Sequence, residues 1–225
     1  MKLRYILKYI KDYIRLGFNS DGNSKFSNKI FNKIKKGIYL DIGCYHPIKD
    51  SHTALLYKNG WKGINIDISK ESIDMFNIFR PNDLNLNIGI STKNGYEKAY
   101  FEKNISTVSS LDKDYLAKCG RKNVKIRKLK VITLKKLREK YNIKKIDFLK
   151  MDCESKDAAI IMNSSLKDLD CSYLCLELIP ENKNNSKNIK NSAVKKFLKT
   201  SVYKKIKKQF VIVDNEGDTF LLKKK

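Results

Sequence analysis

The chain of 225 residues has the length of one globular domain and is long enough to bury a sizeable core. Its hydrophobic fraction of 41% and its three prolines exclude a disordered chain and a collagen-like or linker-dominated one. The 48 lysines and arginines outnumber the 24 aspartates and glutamates, which gives a net charge of +24. Such a charge attracts nucleic acids, acidic glycans and phospholipid surfaces alike, so it selects none of them.

The five cysteines are scattered along the chain without a Cys-x-x-Cys pair, and only two histidines accompany them. A zinc site or a disulfide framework needs closer or more numerous partners, so neither is predicted. We expect reduced and mostly buried thiols, since free cysteine behaves as a small hydrophobic side chain. Reduced cysteines are typical of a reducing compartment, so we predict a cytoplasmic protein.

The first eighteen residues interrupt every apolar pair with a charged residue, so they hold neither a signal-peptide core nor a transmembrane segment. Apolar residues recur there at helical spacing, at Leu3, Ile6, Leu7, Ile10 and Ile14. Lysines and arginines lie between them, which predicts an amphipathic basic helix. We assign residues 1–36 to a basic helical extension and residues 37–225 to the main domain. The helix either docks on the domain or a second copy, or makes peripheral contact with an anionic membrane.

Apolar runs of strand length alternate with helical patterns from residue 37 onward. The predicted strands cover 38–43, 63–68, 84–90, 125–131, 146–152 and 173–178. The predicted helices cover 51–60, 69–79 and 133–141. A FVIVD run and a TFLLK run, separated by NEGD, indicate an antiparallel hairpin at the C-terminus. Together these patterns predict an α/β fold with a mainly parallel, twisted sheet that ends in this hairpin.

Acidic residues and a glycine lie at the ends of the first two predicted strands. The first strand runs into Asp41 and Gly43, and the second ends at Asp67. Open α/β sheets bind nucleotide-like ligands at this edge, where a carboxylate accepts hydrogen bonds from ribose hydroxyls. A single glycine in place of G-x-G-x-x-G favours a ligand without a pyrophosphate group. The structural alternative for Asp67 is to cap the following helix.

The segments DIGCYHPIKDSHTALLYKNGWKGINIDIS, FRPNDLNLNIGIS and IDFLKMDCES occur in that order between residues 37 and 180. In sequence and spacing they resemble the FkbM family of S-adenosylmethionine-dependent methyltransferases. The resemblance implies a class I, Rossmann-like methyltransferase fold with S-adenosylmethionine as methyl donor. It also implies O-methylation, in many members of sugars or secondary metabolites, but it does not identify the acceptor.

The resemblance further implies which residues bind the cofactor. They are Asp41, Gly43, Cys44, Asp67, Ile68, Asn87 and Ile88. Asp41 and Gly43 match the motif that holds the methionine end, and Cys44 follows it. Asp67 is the ribose-binding acid, with Ile68 as its neighbour. Asn87 and Ile88 lie at the end of the third predicted strand, where such folds flank adenine.

The family's Asp-x-Glu-Gly signature includes Asp152 and Glu154, followed by Ser155 where glycine is usual. Methyl transfer to oxygen requires a group that takes the hydroxyl proton. Asp152 and Glu154 are the candidates. They act either directly, if burial raises one pKa, or through a divalent ion such as Mg²⁺ or Mn²⁺ that lowers the pKa of the hydroxyl.

Both histidines, His46 and His52, flank the predicted cofactor loop. Imidazole is well suited to proton transfer near neutral pH, so His46 is a further catalytic candidate. His52 stands where the family usually has asparagine. A structural hydrogen-bonding role is the alternative for both histidines.

Three functions are compatible with these observations. The first is O-methylation of a saccharide or another small molecule, as the resemblance implies. The second is methylation of RNA, which the charge would attract. Lysines are spread over nearly every segment, however. The one basic cluster with an aromatic residue is Tyr203 with Lys204, Lys205, Lys207 and Lys208. The third is a non-catalytic methyltransferase-like binding protein, in which Ser155 marks a lost acceptor site.

Overall fold

The computed structural model describes residues 2–16, 24–178 and 189–225. Residues 1 and 17–23 of the predicted extension therefore lie outside the described residues. The strands are β1 Ile38–Ile42, β2 Lys62–Ile66, β3 Leu84–Leu86, β4 Gly89–Ile90, β5 Gly95–Phe101, β6 Ser109–Ser110, β7 Lys125–Ile132, β8 Phe148–Met151, β9 Tyr173–Glu177, β10 Phe210–Glu216 and β11 Thr219–Lys224. The helices are α1 Lys2–Leu16, α2 Ser24–Phe31, α3 Ala54–Lys58, α4 Lys70–Phe79, α5 Lys113–Lys118, α6 Leu134–Lys140, α7 Asp157–Asn163, α8 Ile189–Lys199 and α9 Ser201–Ile206.

Seven strands form the main sheet in the order β10-β11-β9-β8-β1-β2-β3. The five strands β9, β8, β1, β2 and β3 run parallel to one another. Strand β11 pairs antiparallel with both β9 and β10. The protein is thus a mixed α/β structure with a mostly parallel sheet, as the alternation of strand and helix patterns predicts.

The central strands of this sheet are buried on both faces. Alternate residues of a strand point to opposite faces, and Leu40 and Ile42 of β1 join one hydrophobic cluster. Tyr39 of β1 joins a second cluster together with Phe148 of β8. This two-sided burial explains why the strands read as nearly continuous apolar runs.

The predicted strand 84–90 is divided between two sheets. Its first part forms β3 at the edge of the main sheet, whereas Gly89–Ile90 forms β4 in a second sheet of order β4-β7-β5-β6. The strand predicted at 125–131 is β7 of this second sheet, parallel to β4 and antiparallel to β5. Apolar residues alternate with Asn or Gly over the whole of 84–90, so the sequence has no break between β3 and β4. The pairing with other strands alone separates them.

Helix α6 begins where the sequence predicts it, whereas helix α3 begins later. Thr133 begins α6 as predicted, because its side chain accepts the N–H of Lys136 at 3.1 Å. Helix α3 begins at Ala54, later than the predicted 51–60, and Thr53 precedes it without a side-chain cap. The hydroxyls of Ser51 and Thr53 instead bind an arginine described below.

The N-terminal helices pack against the domain in different ways. Helix α2 buries Phe26 and Ile30 in the cluster that contains Tyr39, and α1 packs on α4 with Tyr5 buried. None of the helices in the described ranges has the combined length and apolar character needed to cross a bilayer. The five cysteines are all free thiols, and three of them are fully buried.

Candidate active site

A pocket lies at the carboxyl ends of β1, β2 and β8, where the second sheet meets the edge of the first. Six of the predicted site residues line it, namely Gly43, Asp67, Ile68, Ile88, Asp152 and Glu154. Four others lie outside its lining, namely Asp41, Cys44, His46 and Asn87. The fold therefore brings Asp67 and the carboxylate pair Asp152 and Glu154 to one cavity.

Asp67 is held at this pocket by two backbone donors. Its Oδ1 accepts the N–H of Ser69 at 2.7 Å, and its Oδ2 accepts the N–H of Tyr45 at 2.8 Å. Burial raises the pKa of Asp67 to about 6, against the opposing effect of these two bonds. The cap of α4 is Ser69, which accepts the N–H of Ser72 at 3.1 Å. Each oxygen of Asp67 keeps a second lone pair, so the carboxylate can accept further hydrogen bonds from a ligand.

Gly43 has a left-handed backbone with a φ of +74°. A Cβ at this position would lie 1.9 Å from the carbonyl oxygen of Asp152, so a side chain would push β1 away from the loop that follows β8. The protein's own backbone therefore requires glycine here, in addition to the ligand approach that the motif suggests.

Asn87 stabilises the pocket from behind. Its side-chain amide donates to the carbonyls of Asp67 and Ile68, each at 3.0 Å. Ile68, Ile88 and Ile90 line the pocket and give it an apolar wall. An apolar wall beside fixed polar groups is typical of small-molecule and cofactor sites.

Lys150 is a buried ammonium group on β8 that joins three parts of the site. Its Nζ lies 2.7 Å from the carbonyl oxygen of Gly43, 3.3 Å from Asp152 Oδ2 and 3.6 Å from Asp41 Oδ1. Burial lowers the pKa of Lys150, but Asp152 and Asp41 outweigh it and the net pKa is raised. The lysine therefore stays charged and fixes both carboxylates. Asp41 is 1% exposed, so it supports the pocket from beneath.

Arg80 extends this polar network to the loop between β1 and α3. Thr53 Oγ1 donates to Asp41 Oδ2 at 2.7 Å and accepts from Arg80 Nη1 at 2.9 Å. The other guanidinium nitrogen donates to Ser51 Oγ at 3.1 Å and to the carbonyl of Pro47. Arg80 is 1% exposed, and it holds the loop that carries the predicted cofactor motif.

Cys44 is buried next to Ile73 and Phe76. Burial raises the pKa of its thiol, and the charges of Asp67 and Asp41 raise it further. The neutral thiol packs between the loop and α4, and its backbone N–H donates to the carbonyl of Ile66 at 3.1 Å.

Both histidines are buried in the loop between β1 and α3, and neither lines the pocket. His46 Nδ1 accepts the N–H groups of Ile48 at 3.1 Å and Lys49 at 2.9 Å, which shapes the loop. The ring of His52 stacks on Phe26 with 5.8 Å between centroids. Burial, together with the nearby Lys150 charge, lowers the pKa of His52 to about 3, so the ring is neutral at pH 7.

Glu154 lies where the loop after β8 meets the second sheet. Ser110 Oγ donates to its backbone carbonyl at 2.7 Å. Burial raises the pKa of Glu154 to about 8, the Asp152 carboxylate adds to the shift, and the hydrogen bond with Tyr115 opposes it. This carboxyl group therefore exchanges its proton near neutral pH.

Ser155 occupies a left-handed position with a φ of +81°. Glycine adopts this conformation without strain, which is the physical reason for the glycine of the family signature. The serine hydroxyl donates to Asp112 Oδ2 at 3.1 Å, a contact that glycine would lack.

A comparison with known protein families matches residues 41–217 to the Methyltransferase FkbM domain. The match covers well over half of the chain and includes Asp41, Asp67 and Asp152. The chain belongs to the FkbM methyltransferase family. It is thus a methyltransferase, as the resemblance of its motifs implies. A comparison with curated proteins gave no significant match.

Two residues at the pocket of this FkbM methyltransferase had no signal in the sequence. Ser109 Oγ is a buried atom in the pocket lining without a hydrogen-bond partner among the described residues. Tyr115 of α5 bonds Glu154. Both residues come from the segment 91–124, whose position over the sheet edge follows from long-range pairing and not from a local motif.

The alternative of a Mg²⁺ or Mn²⁺ ion can be tested against the donor set. Within the ranges that the structure describes, no group of three His, Cys, Asp or Glu residues is placed to hold a metal ion. Asp152, which would be a ligand, is paired with Lys150 at 3.3 Å. These donors do not fit a divalent ion.

Proposed function

We propose that this methyltransferase transfers a methyl group from S-adenosylmethionine to a hydroxyl of a saccharide or another small molecule. One observation carries the proposal: Asp67 and the pair Asp152 and Glu154 line the same pocket. The first is suited to bind a ribose, and the pair is suited to take the proton that methyl transfer to oxygen releases. The choice of a saccharide rests on the family alone.

The strand order supports a class I, Rossmann-like fold. From β1, the sheet extends through β2 and β3 in one direction and through β8 and β9 in the other. Ligands of open α/β sheets bind outside the carboxyl ends of the strands at such a switch point. The pocket lies at this point, with Gly43 from the end of β1 and Asp152 from the end of β8.

The pocket residues fit S-adenosylmethionine. When bound, this cofactor supplies a methyl group on positively charged sulfur. Asp67 would accept hydrogen bonds from the ribose with the lone pairs that Tyr45 and Ser69 leave unused. Ile68 and Ile88 would contact the adenine, and the unpartnered hydroxyl of Ser109 would bond a polar group of the cofactor or acceptor.

Glu154 is the better proton acceptor of the carboxylate pair. Its pKa of about 8 is closer to that of an alcohol than the pKa of about 4 of an ordinary carboxyl group. Asp152 is held by Lys150 at 3.3 Å and would orient the acceptor hydroxyl. His46 points its Nδ1 lone pair at backbone N–H groups, which supports a positioning role in the loop.

Isothermal titration calorimetry with S-adenosylmethionine and S-adenosylhomocysteine tests the cofactor assignment. We expect binding by the wild type and at least about tenfold weaker binding by Asp67→Ala, which loses the ribose acceptor. Asp74→Ala removes a surface acid of α4, 23% exposed and paired with Lys70, and is the matched control. Equal affinities of wild type and Asp67→Ala would remove Asp67 from the site. If the wild type bound neither S-adenosylmethionine nor S-adenosylhomocysteine, the proposed methyl transfer would be wrong and the protein would be a non-catalytic binding protein.

The acceptor is found by transfer of a tritiated methyl group. The screen offers saccharides, nucleotide sugars, other hydroxylated small molecules and RNA to the full chain. The proposal expects label in a saccharide or another small molecule, and label in RNA alone would overturn this choice of acceptor.

A basic face of the second sheet supports RNA as the second candidate acceptor. Lys98 of β5 stands opposite Lys128 of β7, and Tyr96 stands opposite Lys130. The Tyr96 ring is 62% exposed, with Lys128 Nζ 5.3 Å from its centroid. Like charges directly across an antiparallel pair are destabilising. Phosphates would neutralise the lysines while a base stacks on Tyr96, which is how single-stranded nucleic acids are bound.

The double variant Lys98→Gln/Lys128→Gln tests this face. If RNA binds there, its affinity should fall and the slope of log affinity against log salt should decrease by about 2. Lys195→Gln/Lys196→Gln makes the same charge change at exposed positions of α8. Equal RNA affinity of the two double variants would show only the general attraction of a polycation.

A further inference from the structure

The N-terminal helix α1 presents an apolar row to solvent. Leu3, Leu7 and Ile10 are 67%, 59% and 45% exposed. Their spacing of four and three positions places them on one side of the helix. The sequence left two roles for this row, docking on the domain or a second copy and contact with a membrane. A row that docked on the domain would be buried, and this one is not.

A different side of α1 contacts the domain. Tyr5 is 9% exposed and lies against α4, where the charges of Glu71 and Asp74 add to burial in raising its pKa. At about 100° per residue, position 5 lies roughly opposite positions 3 and 7. The packing of Tyr5 therefore holds the helix with its aliphatic row directed away from the domain.

A basic row runs beside the apolar one. Arg4, Lys8 and Lys11 repeat the same spacing one position later in the chain. Arg4 and Lys11 are exposed. Helices that lie in the plane of a membrane surface combine these two rows: the apolar side chains enter the acyl boundary and the cations meet anionic headgroups.

We propose that α1 is a membrane-surface helix that holds this methyltransferase on anionic phospholipid. The net charge of +24 acts in the same direction, because it attracts the chain to such a surface and repels a second copy. A nucleic acid would pair with the cations but leave Leu3, Leu7 and Ile10 in water, so it does not account for the row. The proposal is independent of the methyl acceptor and of cofactor binding.

Sedimentation of the full chain with vesicles tests the proposal. Phosphatidylcholine vesicles are used with and without phosphatidylglycerol, and the chain should pellet only with the anionic ones. Leu7→Gln/Ile10→Gln shortens the apolar row, and Arg4→Gln/Lys11→Gln removes two cations. Each double variant should lower the partition coefficient at least about tenfold.

Matched controls change residues of the same types elsewhere on the surface. Leu198 and Val211 are each 41% exposed, and Lys195 and Lys196 are exposed on α8. Leu198→Gln/Val211→Gln and Lys195→Gln/Lys196→Gln should pellet like the wild type, with circular dichroism as the check of folding.

Two results would overturn the proposal. One is equal pelleting of the wild type and both α1 variants. The other is a lipid-free dimer in analytical ultracentrifugation that Leu7→Gln/Ile10→Gln dissociates, because the row would then be an interface between copies. A monomer that loses vesicle binding only in the α1 variants supports the membrane-surface helix.

Discussion

Buried carboxyl groups at the carboxyl edge of the main sheet hold their protons more tightly than ordinary ones. Burial is the main cause for Asp67, Asp157 and Glu154, whose pKa values rise to about 6, about 7 and about 8. Asp157 accepts the N–H of Cys153 with both oxygens, at 3.1 and 2.9 Å. Glu154 is therefore the carboxyl group that both lines the pocket and titrates near neutral pH without being committed to the backbone.

Glu154→Gln should lower the rate of methyl transfer by about 100-fold, the lower part of the range that a positioned proton acceptor supplies. The wild-type rate should rise with pH up to about 8, where Glu154 becomes ionised, and the variant should lose this dependence. The measurement is a pH series with the acceptor found in the tritium screen. Cofactor affinity by calorimetry should stay unchanged. A variant that kept the wild-type pH profile would assign the proton to another group.

Ser155→Gly should raise the free energy of unfolding by about 0.5–1 kcal/mol. The change relieves a left-handed residue at φ +81°, worth about 1–2 kcal/mol, and loses one exposed hydrogen bond to Asp112. Urea unfolding monitored by circular dichroism measures the difference. A loss of stability would mean that the Ser155–Asp112 contact outweighs the backbone strain.

At the scale of elements, a single buried arginine joins the end of α4 to the loop between β1 and α3. Arg80 comes directly after α4 and bonds Pro47, Ser51 and Thr53 of that loop. Thr53 in turn donates a hydrogen bond to Asp41 at 2.7 Å, and Lys150 of β8 pairs with the same carboxylate. The loop between β1 and α3 is thus fixed by two strands and one helix.

Arg80→Lys should destabilise the fold by about 2–4 kcal/mol and weaken cofactor binding. Lysine keeps the charge but has no planar pair of nitrogens to reach Thr53 and Ser51 together, so buried acceptors lose their donors. Arg121→Lys, on a 39% exposed side chain that pairs with Glu102, is the control and should change stability little. Urea unfolding and calorimetry measure both effects. Wild-type values for Arg80→Lys would show that the loop does not depend on this arginine.

At the scale of the whole molecule, the raised carboxyl pKa values make stability depend on pH. A carboxyl group whose pKa is higher in the folded state binds more protons there, so stability falls as pH rises from the unfolded to the folded pKa. His52, lowered to about 3, acts in the opposite direction, but only below its unfolded value of 6.5. Above pH 6.5 the ring of His52 is neutral in both states. The pH dependence of stability then comes from the buried carboxyl groups, among them Glu154 with a folded pKa of about 8.

The free energy of unfolding should therefore decrease between pH 6.5 and pH 8, by on the order of 1 kcal/mol. Denaturation at a series of pH values measures the slope. Glu154→Gln, which stays neutral, should flatten this slope and serves as the internal control. A stability that rises through this window would contradict the raised pKa of Glu154.

The sequence by itself determined the class of fold, the family and three acids that line the pocket. Apolar runs of strand length predict buried parallel strands wherever they stand, because the pattern is local to each run. A related reason made it predictable that Asp67, Asp152 and Glu154 lie close together. All three follow parallel strands, and the carboxyl ends of parallel strands meet at one edge of the sheet.

Only the tertiary structure decided features that depend on pairing between distant segments. The division of 84–90 into β3 and β4, the lysines brought together by β5 and β7, and the place of Ser109 in the pocket all follow from such pairing. The structure also shows that buried Asp41 pairs with Lys150 and that Leu3 and Leu7 of α1 face solvent. The helical pattern alone could not show the second point, because it indicates that two sides of a helix differ but not which side a neighbouring element covers.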